Sequence, residues 1–215
     1  MPALDDAALL ALWERGAALH PLDRALLLCG AARADVAPAR LADLPLGEAN
    51  RALLELRRAS FGPHLAALVA CERCAAPLEI ELHADALAAA LGAPRAAAGA
   101  SLRALTMRDL AVVSGEPTAE AAALALARRC ALAGGHDALS REELERGLEA
   151  LDPAADIALD MTCEACGHAW RASLDLAAFL WTEVAARAAA ILGDVHRLAC
   201  AYGWTEREIL ELGPQ

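Results

Sequence analysis

Two Cys-x-x-Cys pairs, Cys71–Cys74 and Cys163–Cys166, constrain this chain more than any other feature of it. Two residues between cysteines let both sulfurs turn toward one point about 2.3 Å away, as a tetrahedral zinc requires. Each pair is followed by strict apolar/polar alternation, the period of a half-buried strand. After the first come Leu78, Glu79, Ile80, Glu81 and Leu82; after the second, Trp170, Ala172 and Leu174 alternate with Arg171, Ser173 and Asp175. Ile157, Leu159 and Met161 alternate before the second pair. Placing Cys71 on Cys163 puts Leu78 on Trp170, Ile80 on Ala172 and Leu82 on Leu174. The chain thus carries two copies of one unit, a thiol turn followed by a strand.

The expected product is a pair of knuckle hairpins sharing one structural Zn2+, held by Cys71, Cys74, Cys163 and Cys166. Four thiolates close the shell and leave no place for a catalytic water. The chain between Cys74 and Cys163 is far longer than usual ribbon spacing. Loop-closure entropy grows only as the logarithm of length, however, and apparent structural zinc affinities are roughly 10–16 kcal/mol. Two readings compete: a degenerate ribbon without its metal, and a thioredoxin-like redox pair. The second opens a helix, whereas these pairs open strands. His168 is close to the second pair but surplus to a four-thiol shell.

Everything outside the two units reads as helix. The sequence holds 58 alanines and few β-branched residues, a composition that favours helix and argues against a β-sandwich. Amphipathic helices are expected at residues 3–19 and 22–32, after Pro45 to about Phe61, at 84–91, at 118–132 with a stop at Gly134-Gly135, and at 176–202. Capping-box spacing at Thr106–Asp109, Ser140–Glu143 and Thr205–Glu208 marks three further starts. Gly92 to Gly99 reads as a connection, and Pro63 as the opening of a short helix through Val69. The fold class is therefore mainly α with a small β zinc ribbon, an α+β chain in which two CxxC knuckle hairpins are joined by a long helical insertion. It divides as one domain: N-terminal helices 1–68, first knuckle 69–83, insertion 84–155, second knuckle 156–175 and C-terminal helices 176–215.

Charge and motif narrow the function. The net charge is −11, which opposes non-specific binding to nucleic acid or anionic lipid. No window of about 18 uncharged apolar residues suggests a membrane span, and the acidic start is unlike a signal peptide. A cytoplasmic protein with reduced thiols is expected. No nucleophile elbow, HExxH or phosphate-loop pattern is present, so no enzymatic activity is expected. Glu142, Glu143 and Glu145 read as a solvated helix face. Cys29, Cys130 and Cys200 lie in apolar helical runs and read as core. On the last long helix, Trp181, Val184, Ala188, Ile191, Val195, Leu198 and Tyr202 form a heptad seam. The main reading is packing on the chain's own helices; the sharper one is that Trp181, Tyr202 and Trp204 anchor a partner. Four of the seven aromatics fall between Phe179 and Trp204, which predicts that this end is the best-defined part of the core.

Three segments, with Leu105-Thr106-Met107-Arg108-Asp109-Leu110, carry a family resemblance. They are the second knuckle with its strand, Cys163 to Leu174; the helix start Phe179-Leu180-Trp181-Thr182-Glu183; and the ending from His196 to Leu210, with Tyr202-Gly203-Trp204-Thr205-Glu206 and Ile209-Leu210 its most specific part. Together these resemble the T-even phage baseplate assembly proteins, whose relatives occur in contractile injection system clusters. The N-terminal helices fit better with the injection-system relatives. One departure is visible: the first thiol turn has Glu72 and Ala75 where such knuckles more often carry Pro and Gly. The resemblance implies a non-enzymatic assembly factor or minor structural component of the baseplate or hub of a contractile tail, with baseplate or hub proteins as partners. The alternative is a zinc-ribbon protein associated with nucleic acid or transcription. That role needs a basic stripe, but Arg73 and Arg171 are outnumbered near the knuckles by Glu72, Glu79, Glu81, Glu164 and Asp175.

Overall fold

The computed structural model describes residues 3–92, 102–132 and 140–211. The expected connection at 92–99, apart from Gly92, and the stop at Gly134-Gly135 lie outside these residues. The N-terminal helices are α1 (Asp6–Gly16), α2 (Pro21–Ala32), α3 (Pro38–Leu41) and α4 (Leu46–Phe61). Asp5 caps α1 by accepting from the Ala8 N–H. Pro21 opens α2 where its missing N–H costs nothing. Gly62, at φ 85°, ends α4.

Residues 64–70 form a strand rather than the expected short helix. Strand β1 (His64–Ala70) pairs antiparallel with β2 (Pro77–His83), Leu65 facing Leu82 and Ala67 facing Ile80. The second hairpin joins β3 (Ala158–Thr162) to β4 (Ala169–Ser173). The two hairpins remain separate two-stranded sheets. A two-stranded ribbon is marginal alone in water, and both hairpins rest on a shared core. In that core Leu54 of α4, Leu65, Ala84, Leu87, Ile157 and Leu176 are buried, with Phe179 against them.

Between the hairpins run α5 (Ala84–Leu91), α6 (Met107–Val113), α7 (Ala119–Cys130) and α8 (Arg141–Leu151). Both capping boxes in this stretch are closed, at Thr106–Asp109 and Ser140–Glu143. Leu102, Ala127 and Leu144 build a small core of their own. Polar contacts dock this insertion on α4: the Leu46 N–H donates to the Leu105 carbonyl, and the Gly47 N–H to Asp152 Oδ2 at 2.8 Å.

The long helix α9 (Leu176–Tyr202) organises the main core, and α10 (Glu206–Leu210) follows it. Leu180, Val184, Ala188 and Ile191 are buried among Leu9, Leu12, Leu28, Cys29, Leu53 and Leu56. Burying one such leucine contributes roughly 1.5–3 kcal/mol. Arg57 of α4, only 3% exposed, is held by Glu183 of α9 through two hydrogen bonds of 2.9 and 2.6 Å. Among the described residues α9 is the one helix long and apolar enough to cross a membrane by length and composition, yet its seam through Ile191 lies in this core. The aromatic C-terminal end is not the best-defined core: Tyr202 and Trp204 are exposed, and the packing is deepest from Leu180 to Ile191.

Candidate metal centre

The two thiol turns fold alike because their main chains close the same hydrogen bonds. The Cys71 N–H donates to the Ala76 carbonyl and the Ala75 N–H to the Cys71 carbonyl. In the second turn the Cys163 N–H donates to the His168 carbonyl and the Gly167 N–H to the Cys163 carbonyl. The residue after each second cysteine takes positive φ, 58° at Ala75 and 68° at Gly167. That left-handed residue curls each turn so that its two sulfurs converge.

Across the hairpins, Cys71 Sγ lies 3.8 Å from Cys166 Sγ, and Cys74 Sγ lies 3.7 Å from Cys163 Sγ. All four sulfurs fall within 4.8 Å of one another. Donors at the corners of a tetrahedron, each about 2.3 Å from its centre, are about 3.8 Å apart. The four cysteines therefore form a cage of the right size and softness to hold a metal ion. Cys71 and Cys163 are buried, Cys166 half-buried and Cys74 exposed, so one edge of the cage faces solvent.

Electrostatics favour a cation here. Burial opposes the Cys71 thiolate, but the N–H groups of Cys74 and Arg73 and the adjacent thiols outweigh it and lower its pKa to about 7. At Cys166 the His168 N–H favours the thiolate. Burial and the other three thiols prevail and push its pKa up to about 12. The first proton leaves easily and the last resists, as expected when four like charges share one small volume without a counter-ion.

The other sequence candidates separate. His168 is no fifth donor; its ring stacks on Trp170 at 5.6 Å. Cys29 and Cys130 are core residues whose thiols burial raises to about 12 and about 11. Cys200, expected in the core, is exposed on α9 instead, beside His196. It falls on the solvent side of the helix, two positions before the last helical residue, Tyr202. Trp181 is engaged within the chain: its ring covers Gly16, and the Arg24 guanidinium lies 5.0 Å over its face. Tyr202 and Trp204, 64% and 40% exposed, stack on each other at 4.9 Å. Sequence reasoning missed the main-chain donors that shape the turns; the shared left-handed residue was visible only as Gly167.

No family model, no curated protein and no solved structure matches this chain.

Proposed function

We propose that this chain is a non-enzymatic assembly factor or minor structural component of the baseplate or hub of a contractile phage-like tail or injection system. It acts through protein–protein contacts, and a zinc ion staples its two hairpins as a ribbon. Zinc is the ion that suits four thiolates in a tetrahedral cage under reducing, cytoplasmic conditions. A closed shell of this kind supplies folding energy rather than catalysis.

One observation carries the reading. The segment with the most specific family resemblance, from Tyr202 to Glu206, presents its two aromatic rings stacked and open to solvent. Large apolar side chains left exposed together are costly to a free chain and are common anchors in interfaces. The acidic balance supports the same reading over a nucleic-acid role.

The test is mass spectrometry of contractile particles purified from the native host, with and without deletion of this chain. Presence at fixed stoichiometry identifies a structural component. Absence, with failed assembly on deletion, identifies an assembly factor. Normal particles that lack the chain and form without it overturn the proposal.

A further inference from the structure

The outer edge of β2 faces a cleft, and no strand among the described residues claims its hydrogen-bonding groups. The Cys71 N–H donates to Ala76, and the Ala84 N–H to Pro63. In antiparallel alternation the bonded pairs between those ends are Leu65–Leu82, Ala67–Ile80 and Val69–Leu78. The N–H and carbonyl groups of Glu79 and Glu81, and the Pro77 carbonyl, therefore point away from β1. The same argument for β3 starts from Cys163 with His168 and Leu174 with Ile157. It turns the main-chain groups of Asp160 and Thr162 away from β4. Among the described residues no strand pairs with β2 or β3 on these sides.

Between them lies a cleft of about 590 Å³, walled by residues 76–81 on one side and 161–165 on the other. That volume is in the range of sites that hold a ligand or a short segment of chain. Glu79, Glu81 and Glu164 stand on its walls. None of the three ion-pairs with an arginine among the described residues. Two glutamates on one short edge repel an identical edge, which blocks pairing with a second copy. They attract a strand of opposite charge.

We infer that the cleft between β2 and β3 receives an extended, basic segment of a partner protein, which adds to the β2 edge as a third strand. Main-chain bonds to Glu79 and Glu81 supply register, and the carboxylates select arginine or lysine at alternate positions. The inference rests on the reading that the chain works by contacting proteins, and it names a surface distinct from Tyr202 and Trp204.

The probe is a seven-residue peptide, acetyl-Thr-Arg-Val-Arg-Val-Arg-Thr-amide, matched to the 7 residues of β2, with the metal-loaded full chain. Binding is expected at roughly 10–100 µM by fluorescence anisotropy. Amide exchange at Glu79 and Glu81 should slow about tenfold or more on binding. The Glu79→Gln/Glu81→Gln double variant should weaken binding at least tenfold with unchanged metal content. Glu81→Pro removes an outward N–H and no ladder bond, and should abolish it; if that variant loses metal, the glutamine pair decides. Equal binding of a peptide N-methylated at alternate residues, of the glutamate analogue, or without amide protection overturns the inference. So does a dimer joined at this edge in light scattering and exchange. If the peptide fails while tail particles still require the chain, only this surface is lost. If the peptide binds and particles form normally without the chain, only the tail assignment is lost.

Discussion

Ala75 and Gly167 occupy the same left-handed position in the two thiol turns, at φ 58° and 68°. Their N–H groups donate to Cys71 and Cys163 at 2.8 Å each. An L-residue with a Cβ is strained there by about 1–2 kcal/mol, whereas glycine is not.

Ala75→Gly should therefore stabilise the metal-loaded protein, by about 0.5–1 kcal/mol once glycine's extra unfolded-state entropy is deducted. Gly167→Ala should destabilise it by about the same amount. Both effects are read as shifts of the denaturation midpoint at constant metal content. Opposite signs for one chemical change at equivalent positions isolate the backbone from the ligands.

Cys163→Ser should abolish stoichiometric metal binding and loosen both hairpins, because each depends on the other across the cage. Elemental analysis and amide exchange at residues 64–70 check this. Thiolates bind metal only when deprotonated, so acidification should release the ion steeply, with several protons taken up per ion lost. In the loaded protein the fast-reacting thiol toward a disulfide reagent near pH 8 should be Cys200. Burial protects Cys29 and Cys130, whose thiols stay protonated there. Chelation should add the four cage thiols to the count.

Asp109 is 1% exposed and accepts from Arg103 at 2.6 and 2.8 Å, from Arg129 at 3.0 Å and from Thr106 at 2.8 Å through its hydroxyl. The Arg103 bonds, chiefly, hold its carboxyl well below the usual carboxylate range. An unfolded aspartate titrates near 3.9. This group's contribution is thus complete above about pH 5 and is lost as pH falls through 3.9 toward the folded value. Asp109→Asn should cost about 3 kcal/mol at neutral pH by leaving two arginines without their anion, and should flatten the acid limb of the stability curve.

A Cβ at Gly47 would run into the Asp152 carboxylate. Asp152 is 4% exposed, and its Oδ1 stands 4.0 Å from Arg51 Nη1 without a hydrogen bond. Gly47→Ala should therefore expel that side chain and detach the end of α8 from α4, costing about 2–3 kcal/mol. Exchange should rise across α6 to α8 while α1, α2 and α9 keep their protection.

The cysteine spacing and the alternation beside it were enough to bring Cys71, Cys74, Cys163 and Cys166 together on paper. The capping boxes at Thr106, Ser140 and Thr205 placed three helix starts. Strand β1 stayed hidden because Ala66, Ala67 and Ala70 blur its period of two and suit a helix equally well. Its identity comes from tertiary pairing with β2, where Leu65 meets Leu82. Cys200 misled because a helix rich in alanine is apolar on every side, so composition does not say which side meets the core. Trp181 and Tyr202 share one seam in sequence, yet one covers Gly16 and the other lies in solvent. That division depends on which stretch of α9 lies against α1, from Trp181 at Gly16 to Arg187 at Asp6, and no local pattern encodes it.

Cys74 and Cys163 meet although they are 89 positions apart in the chain. A ribosome adding about 5–20 residues per second needs roughly 5–20 s to travel between them. Through that interval the first turn holds two unsaturated sulfurs and β1 and β2 lack their opposite wall. An ion held by all four sulfurs could be fully enclosed only after the second turn had been made, so its capture would mark the moment at which both hairpins of a nascent chain exist.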